Sequence, residues 1–285
     1  MTYTRFMEIF PNHDACLDHL KEIFYRDGTI CPGCEKRTKF HRIRGRSAYG
    51  CQYCGHQVYP TADTIFNKST VSLQLWFWAI YLMSSTRCGI SAKQLEREIG
   101  VTYKTAHRMF KMIRSLLSDD VQTPLNGQVE IDEMYVGGTR KSSKGRLPAP
   151  KTTVLGMMER GGRVSAKVVP DASMLSLYPW IGKTVGEGSQ VFTDEHTVYM
   201  NMPKTRFLHE SVNHRSGVFV SGDAHTQCLD GFLALVKNGL RGVYHSVSSE
   251  YLQAYLDEYS FRFNRRDGVE PLFWAILSRV QKEAA

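Results

Sequence analysis

The chain has 285 residues, 42% of them apolar and 22% charged, enough to bury a substantial core and to divide into two or more domains. Its longest apolar run, Leu75–Met83, falls well short of the ~20 residues that span a bilayer. The opening MTYTRFMEIFPNHD lacks a basic region followed by an apolar block. Membrane insertion and secretion are therefore not expected, and in a reducing compartment the seven cysteines are thiols or metal ligands rather than disulfides. The formal net charge of +8 is unevenly spread. Lys36, Arg37, Lys39, Arg42, Arg44 and Arg46 crowd one segment, and Arg140, Lys141, Lys144, Arg146 and Lys151 crowd another, which favours a polyanionic partner.

An N-terminal helical segment is predicted over residues 1–25 and a zinc ribbon over 26–62. The ribbon rests on CPGC at 31–34 and CQYC at 51–54. A CxxC turn aims two thiolates at one ion, and two such turns complete the four-thiolate shell that suits structural zinc, with no position left for water or substrate. Cys31, Cys34, Cys51 and Cys54 are the predicted ligands. Cys16, Cys88 and Cys228 fit no such spacing and are expected to be buried thiols.

Residues 70–120 read as a helix-turn-helix. An apolar helix over 71–84 is followed by SAKQLEREIG, with Ser91 as N-cap, Gln94 placed for a capping box and Gly100 as the stop. Thr102 caps the next helix, whose Met109, Met112, Ile113 and Leu116 face inward. Lys104, Thr105, Arg108 and Lys111 are left outward near its N-terminal half, where a recognition helix carries its DNA contacts.

From residue 128 the pattern changes to short strands: QVEIDEMYVGG, then a hairpin turning at Gly161–Gly162, then SQVFTDEHTVY. A later helix, HTQCLDGFLALVKNGLRG, has an apolar stripe with Asp230 beside it. Asp132 inside a strand, Asp194 at a strand end and Asp230 on a helix can converge at one sheet edge. Clustered carboxylates repel unless cations neutralise them, and hard divalent ions take oxygen ligands. Two such ions can activate the attacking oxygen and stabilise the leaving oxygen of a phosphodiester. Glu133 and Glu195 adjoin two of these acids, and strand alternation predicts that only one of each pair faces the ion.

These features resemble the insertion-sequence transposases of the DDE class that carry an N-terminal zinc ribbon, a bacterial group related to eukaryotic Merlin elements. The resemblance runs through DACLDHLKEIFYRDGTICPGC, CQYCGHQVYPTADTIF, VEIDEMYVGG, FTDE and the tail from HTQCLDGF to FNRR. It implies an α/β multi-domain chain whose residues 127–285 form a ribonuclease-H-like mixed-sheet catalytic domain. It also implies Mg2+ or Mn2+ as catalytic cofactor, and strand cleavage and transfer at the terminal repeats of double-stranded DNA. A homo-oligomer on DNA and a cytoplasmic, nucleoid-associated location follow from the same likeness. Asp132 and Asp194 match the family's first two metal-binding acids. Lys237, seven positions after Asp230, matches a basic residue facing DNA, and Arg140 and Lys141 sit in a basic loop, 139–150, that grips substrate.

The third acid departs from the family pattern, HTNTxEGF, which has glutamate where this chain has Asp230 and asparagine where it has Gln227. Aspartate is shorter by one carbon–carbon bond, about 1.5 Å, and a ~1 Å misplacement in such a site can cost ~100-fold in rate. Three readings stay open: Asp230 binds metal, His225 or Gln227 contributes instead, or this copy is a catalytically impaired DNA-binding descendant.

Overall fold

The computed structural model describes residues 1–86, 88–118, 123–137, 151–203, 205–212 and 225–281. Arg140, Lys141 and the rest of the basic segment 139–150 lie outside the described residues. The chain forms two compact units, Met1–Leu116 with Glu270–Ala285, and Leu117–Val269. Among the described residues no helix is long and apolar enough to cross a membrane.

The first unit opens with α1 (Tyr3–Ile9) and α2 (His13–Phe24), started by the side chains of Thr2 and Asn12, which accept from the N–H groups of Arg5 and Ala15. Between them and the later helices lie five short strands. β1 (Thr29–Ile30) pairs with β2 (Arg37–Thr38), and β3 (Phe40–Arg42), β4 (Tyr49–Cys51) and β5 (Gln57–Val58) form a second antiparallel sheet. The apolar run forms α3 (Leu73–Ser85). Its core is aromatic: Phe10 stands edge-on to Phe77, centroids 4.9 Å apart.

The short helix α4 (Ala92–Ile99) begins where Ser91 Oγ accepts from Gln94 N and ends at Gly100, whose φ of +68° suits glycine. α5 (Tyr103–Ser115) follows directly, started by Thr102. Met109 and Ile113 are buried, as their spacing predicts, while Met112 and Leu116 are half-buried and Phe110 takes a buried position instead. The last helix, α9 (Leu272–Leu277), also belongs to this unit, although the sequence groups it with 127–285. Its Phe273 and Trp274 rings pack beside Phe10, 5.8 and 5.9 Å between centroids.

The second unit is a mixed five-stranded sheet with helices on both faces. Its strands are β6 (Gln128–Val136), β7 (Thr152–Glu159), β8 (Val164–Val169), β9 (Gln190–Thr193) and β10 (Leu208–Ser211), in the spatial order β10-β9-β6-β7-β8. β6, β7 and β8 run antiparallel in a meander, the hairpin turning at Gly161 (φ +68°), whereas β9 and β10 join parallel beside β6. α6 (Met174–Thr184) covers one face, where Val129, Ile131, Leu155 and Met157 meet Leu177 and Ile181. α7 (Gln227–Gly242) and α8 (Ser249–Phe263) cover the other, where Met134, Val154 and Met158 meet Leu229, Leu233, Val236 and Leu256. Val129 and Ile131 of β6 thus face α6, and Met134 faces α7 with Glu130 and Asp132 at the same parity, the alternation that a pleated strand imposes.

One glycine fixes how closely α7 approaches. Gly156 on β7 pairs with Asp132, and a Cβ there would lie 3.0 Å from Leu229 and 3.2 Å from Leu233. A missing side chain therefore seats the helix directly above the level of Asp132.

Candidate functional site

The first cluster is the predicted thiol set. The Sγ atoms of Cys31, Cys34, Cys51 and Cys54 all lie within 4.8 Å of one another, with Cys31–Cys54 at 3.7 Å and Cys34–Cys51 at 3.9 Å. Each knuckle is built alike. Glu35 N–H reaches Cys31 O and Gly55 N–H reaches Cys51 O, and both turns use a left-handed residue, Glu35 (φ +58°) and Gly55 (φ +70°). The N–H groups of Gly33 and Tyr53 point at the sulfurs of Cys31 and Cys51, each at 3.4 Å. Against burial, which pushes it up, hydrogen bonds from the Thr38 hydroxyl and the N–H groups of Cys54 and Tyr53 hold the Cys51 thiol down to about 6. Against a backbone hydrogen bond from His56, burial and the sulfurs of Cys34, Cys31 and Cys51 push Cys54 the other way, up to about 12, so the four crowded thiols cannot all ionise without a cation. The other cysteines divide: Cys16 is buried as expected, but Cys88 and Cys228 are exposed, contrary to expectation. Neither sits at a position where an apolar stripe turns inward.

The second cluster lies at the edge of the five-stranded sheet. Asp132 projects from β6, and Asp194 follows immediately after β9. Oxygens of Asp132, Glu133 and Asp194 lie within 4.8 Å of one another. Glu133 was expected to point away from Asp132, and its strand position does face α6. Its carboxylate nevertheless reaches the cluster: the β6–β9 ladder ends at Glu130↔Phe192, and among the described residues no strand pairs with the rest of β6 on that side. The buried Tyr199 hydroxyl donates to Glu133 and holds it there. Asp194 in turn accepts from His196 N–H at 3.0 Å.

Burial pushes the Asp132 carboxyl up to about 8; the Glu133 N–H, 2.8 Å from Oδ1, opposes this, while the charges of Asp194, Asp230 and Glu133 add to it. Burial, with the charge of Asp194, also raises Glu133 against the Tyr199 hydrogen bond and the opposing influence of His196. Asp230 sits in the first turn of α7, exposed, taking a 3.3 Å hydrogen bond from Thr226 Oγ1. Its charge is felt at Asp132, but it is not among the three acids that lie within 4.8 Å of one another. His225 turns instead toward a different carboxylate, its Nδ1 3.1 Å from Glu130, and Gln227 is exposed.

Lys237, two turns beyond Asp230, lines a cleft of about 280 Å³ together with Tyr135, Val136, Arg241 and His245. Burial and the charges of Glu133, Asp132 and Asp194 raise the Tyr135 phenol, which places this cleft within electrostatic reach of the acids. In the first unit, Lys104, Arg108 and Lys111 are exposed on α5 and Thr105 is half-buried.

Residues 124–264 match the ISXO2-like transposase domain, and residues 11–57 match the transposase zinc-ribbon domain. The chain belongs to the IS1595 family of transposases. A Halobacterium salinarum protein described as an uncharacterized protein in transposable element ISH50 is 29% identical over 291 residues, covering 93% of this chain and 96% of the relative. A pre-cleavage Mos1 transpososome structure aligns over 72% of this chain and 79% of its own at 12% identity and a TM-score of 0.26, too low to imply a shared fold. The transposase zinc-ribbon match, together with the four-cysteine cluster, supports a structural zinc ion.

Proposed function

We propose that this transposase cleaves and transfers DNA strands at its element's terminal repeats, using Mg2+ or Mn2+ held by Asp132 and Asp194 with Glu133 and Asp230 beside them. The observation that carries the reading is the convergence of three carboxylate oxygens within 4.8 Å around an Asp132 raised to about 8. Such a set is costly as bare anions and suits hard divalent cations, which take oxygen ligands. When bound, these ions act as Lewis acids on the attacking and leaving oxygens of a phosphodiester.

The chain's own groups do the rest. Lys237 and Arg241 line the cleft as cations for backbone phosphates, and Tyr135 offers an exposed ring against which a base can rest. Tyr199 and His196 N–H keep Glu133 and Asp194 aimed at a common point. The sheet order, an antiparallel meander of three with two parallel strands added beside the first, supports a ribonuclease-H-like catalytic domain. Docking of α5 into a major groove is consistent with the short α4, the tight Gly100 turn and the exposed Lys104, Arg108 and Lys111, with Thr105 at the same end. Arg140 and Lys141 are proposed as further phosphate contacts. Synapsis of two ends calls for a homo-oligomer on DNA, within the nucleoid.

The test is strand nicking of DNA from the element's ends in Mg2+ or Mn2+. Asp132→Asn is expected to reduce nicking to background while leaving repeat-end binding nearly intact; full activity in that variant removes Asp132 from the site. A second reading, an impaired DNA-binding descendant, is favoured by the position of Asp230 outside the close trio. Asp230→Glu separates the two. Nicking that rises from nothing to a measurable rate supports the impaired reading, and wild-type nicking at or above the variant's rate rejects it.

A further inference from the structure

Glu130 is a fully buried carboxylate on β6, two residues before Asp132 and on the same face. Arg160, just after β7, meets it with Nε 2.7 Å from Oε1. A buried ion pair gains little stability over an apolar pair of the same size, so its presence here asks for a reason beyond adhesion.

The reason lies in what the two side chains touch. The second oxygen of Glu130 accepts from Leu229 N–H at 2.9 Å, in the first turn of α7. That N–H has no acceptor within the helix and would ordinarily be capped by the side chain of the N-cap residue. Thr226, the cap residue, makes no such bond; its hydroxyl donates to Asp230 instead. The helix that carries Asp230 and Lys237 is thus capped by the strand that carries Asp132. Arg160 extends the tie. Its Nη2 donates to His225 O at 2.8 Å, at the entry to α7, its backbone N–H donates to Gln128 O on β6, and its guanidinium lies 4.1 Å over Phe192, two residues before Asp194. One planar, five-donor cation therefore touches all three segments that bear the acids.

We propose that Glu130 and Arg160 are positioning residues that hold Asp132, Asp194 and Asp230 in register for divalent-cation binding, an inference that rests on the carboxylate-site reading above. Groups that orient a metal's ligands typically matter ~10–100-fold in metal affinity.

The test is a Mn2+ titration of the full-length protein, read by the electron paramagnetic resonance signal of free Mn2+, with thermal melting as the check on folding. Arg160→Lys keeps the charge, but an ammonium cannot reach Glu130 and His225 O while lying flat on Phe192. The paired variant Glu130→Gln with Arg160→Met removes both charges together, so it folds without a buried unpaired ion and decides the matter if Arg160→Lys does not fold. Both are expected to melt cooperatively and to need at least ~10-fold more Mn2+ for half-saturation than the wild type. A folded variant that binds Mn2+ like the wild type overturns the positioning role. The two possible failures are separable: a wild-type chain that takes up no more Mn2+ than Asp132→Asn contradicts the carboxylate site itself.

Discussion

The four-cysteine cluster and the sheet-edge cluster of acids are assembled in opposite ways. The four cysteines come from two knuckles, each closed by its own short-range hydrogen bonds, so the ligand set is local and its spacing is visible in the chain. Asp132, Glu133 and Asp194 come from β6 and the end of β9 and meet because the sheet order puts β9 beside β6, while Asp230, in the first turn of α7, stands outside that trio at a height that Gly156 sets. A local site is fixed by its own turns; a distributed site is only as accurate as the packing beneath it. Removing a ligand should therefore unfold the first and leave the second folded, whereas disturbing packing should damage the second alone.

The largest expected effect is at the thiol cluster. Cys31→Ser should release the zinc, lowering metal content by one ion per chain, and unfold the segment it ties together, since zinc supplies ~10–16 kcal/mol in such modules. Repeat-end binding should weaken with it. Unchanged zinc by elemental analysis would refute the ribbon.

Next in size is the packing of α7. Gly156→Val places methyl groups where Leu229 and Leu233 already lie at 3.0 and 3.2 Å from a single Cβ. Overpacking of this kind costs about 1–3 kcal/mol, and Mn2+ affinity should fall as Asp230 is displaced, while zinc content stays the same. Wild-type denaturation with wild-type Mn2+ binding would show that the close approach of α7 is not what positions the acid.

The most gradual effect is a pH dependence. Asp132 titrates at about 8 in the folded chain against an ordinary value of 3.8. The folded state holds its proton longer than the unfolded chain, so without divalent ions its stability should decline as pH rises between those values and level off above about 8. Mn2+ compensates the ionised form, so the melting-temperature gain on adding Mn2+ should be larger at pH 8 than at pH 6. Asp132→Asn should remove most of that difference, and an equal gain at both pH values in the wild type would contradict the assignment.

Much of this was legible in the sequence, for physical reasons that differ by element. The CxxC pairs announce themselves because a tight turn must place two thiolates together. The strand around Asp132, the strand end at Asp194 and the caps Ser91 and Thr102 follow from period-two runs and short polar side chains. Strand alternation predicts that only one of Asp132 and Glu133 faces the ion, yet both reach the cluster, because among the described residues no strand pairs with β6 beyond Glu130 on the β9 side. Glu130 and Arg160 were missed because 30 residues separate them and only the β6–β7 register brings them together. The allegiance of Phe273 and Trp274 to the N-terminal unit leaves no periodic signal, since two aromatic residues in a short helix fit many cores.

The proposed site requires that the sheet-edge acids share divalent cations. Anomalous diffraction from crystals of the protein soaked in Mn2+ tests it most directly. A Mn2+ peak between Asp132 and Asp194 is expected, with Glu133 or Asp230 completing the oxygen set. Saturating Mn2+ that leaves no peak between Asp132 and Asp194 would contradict it.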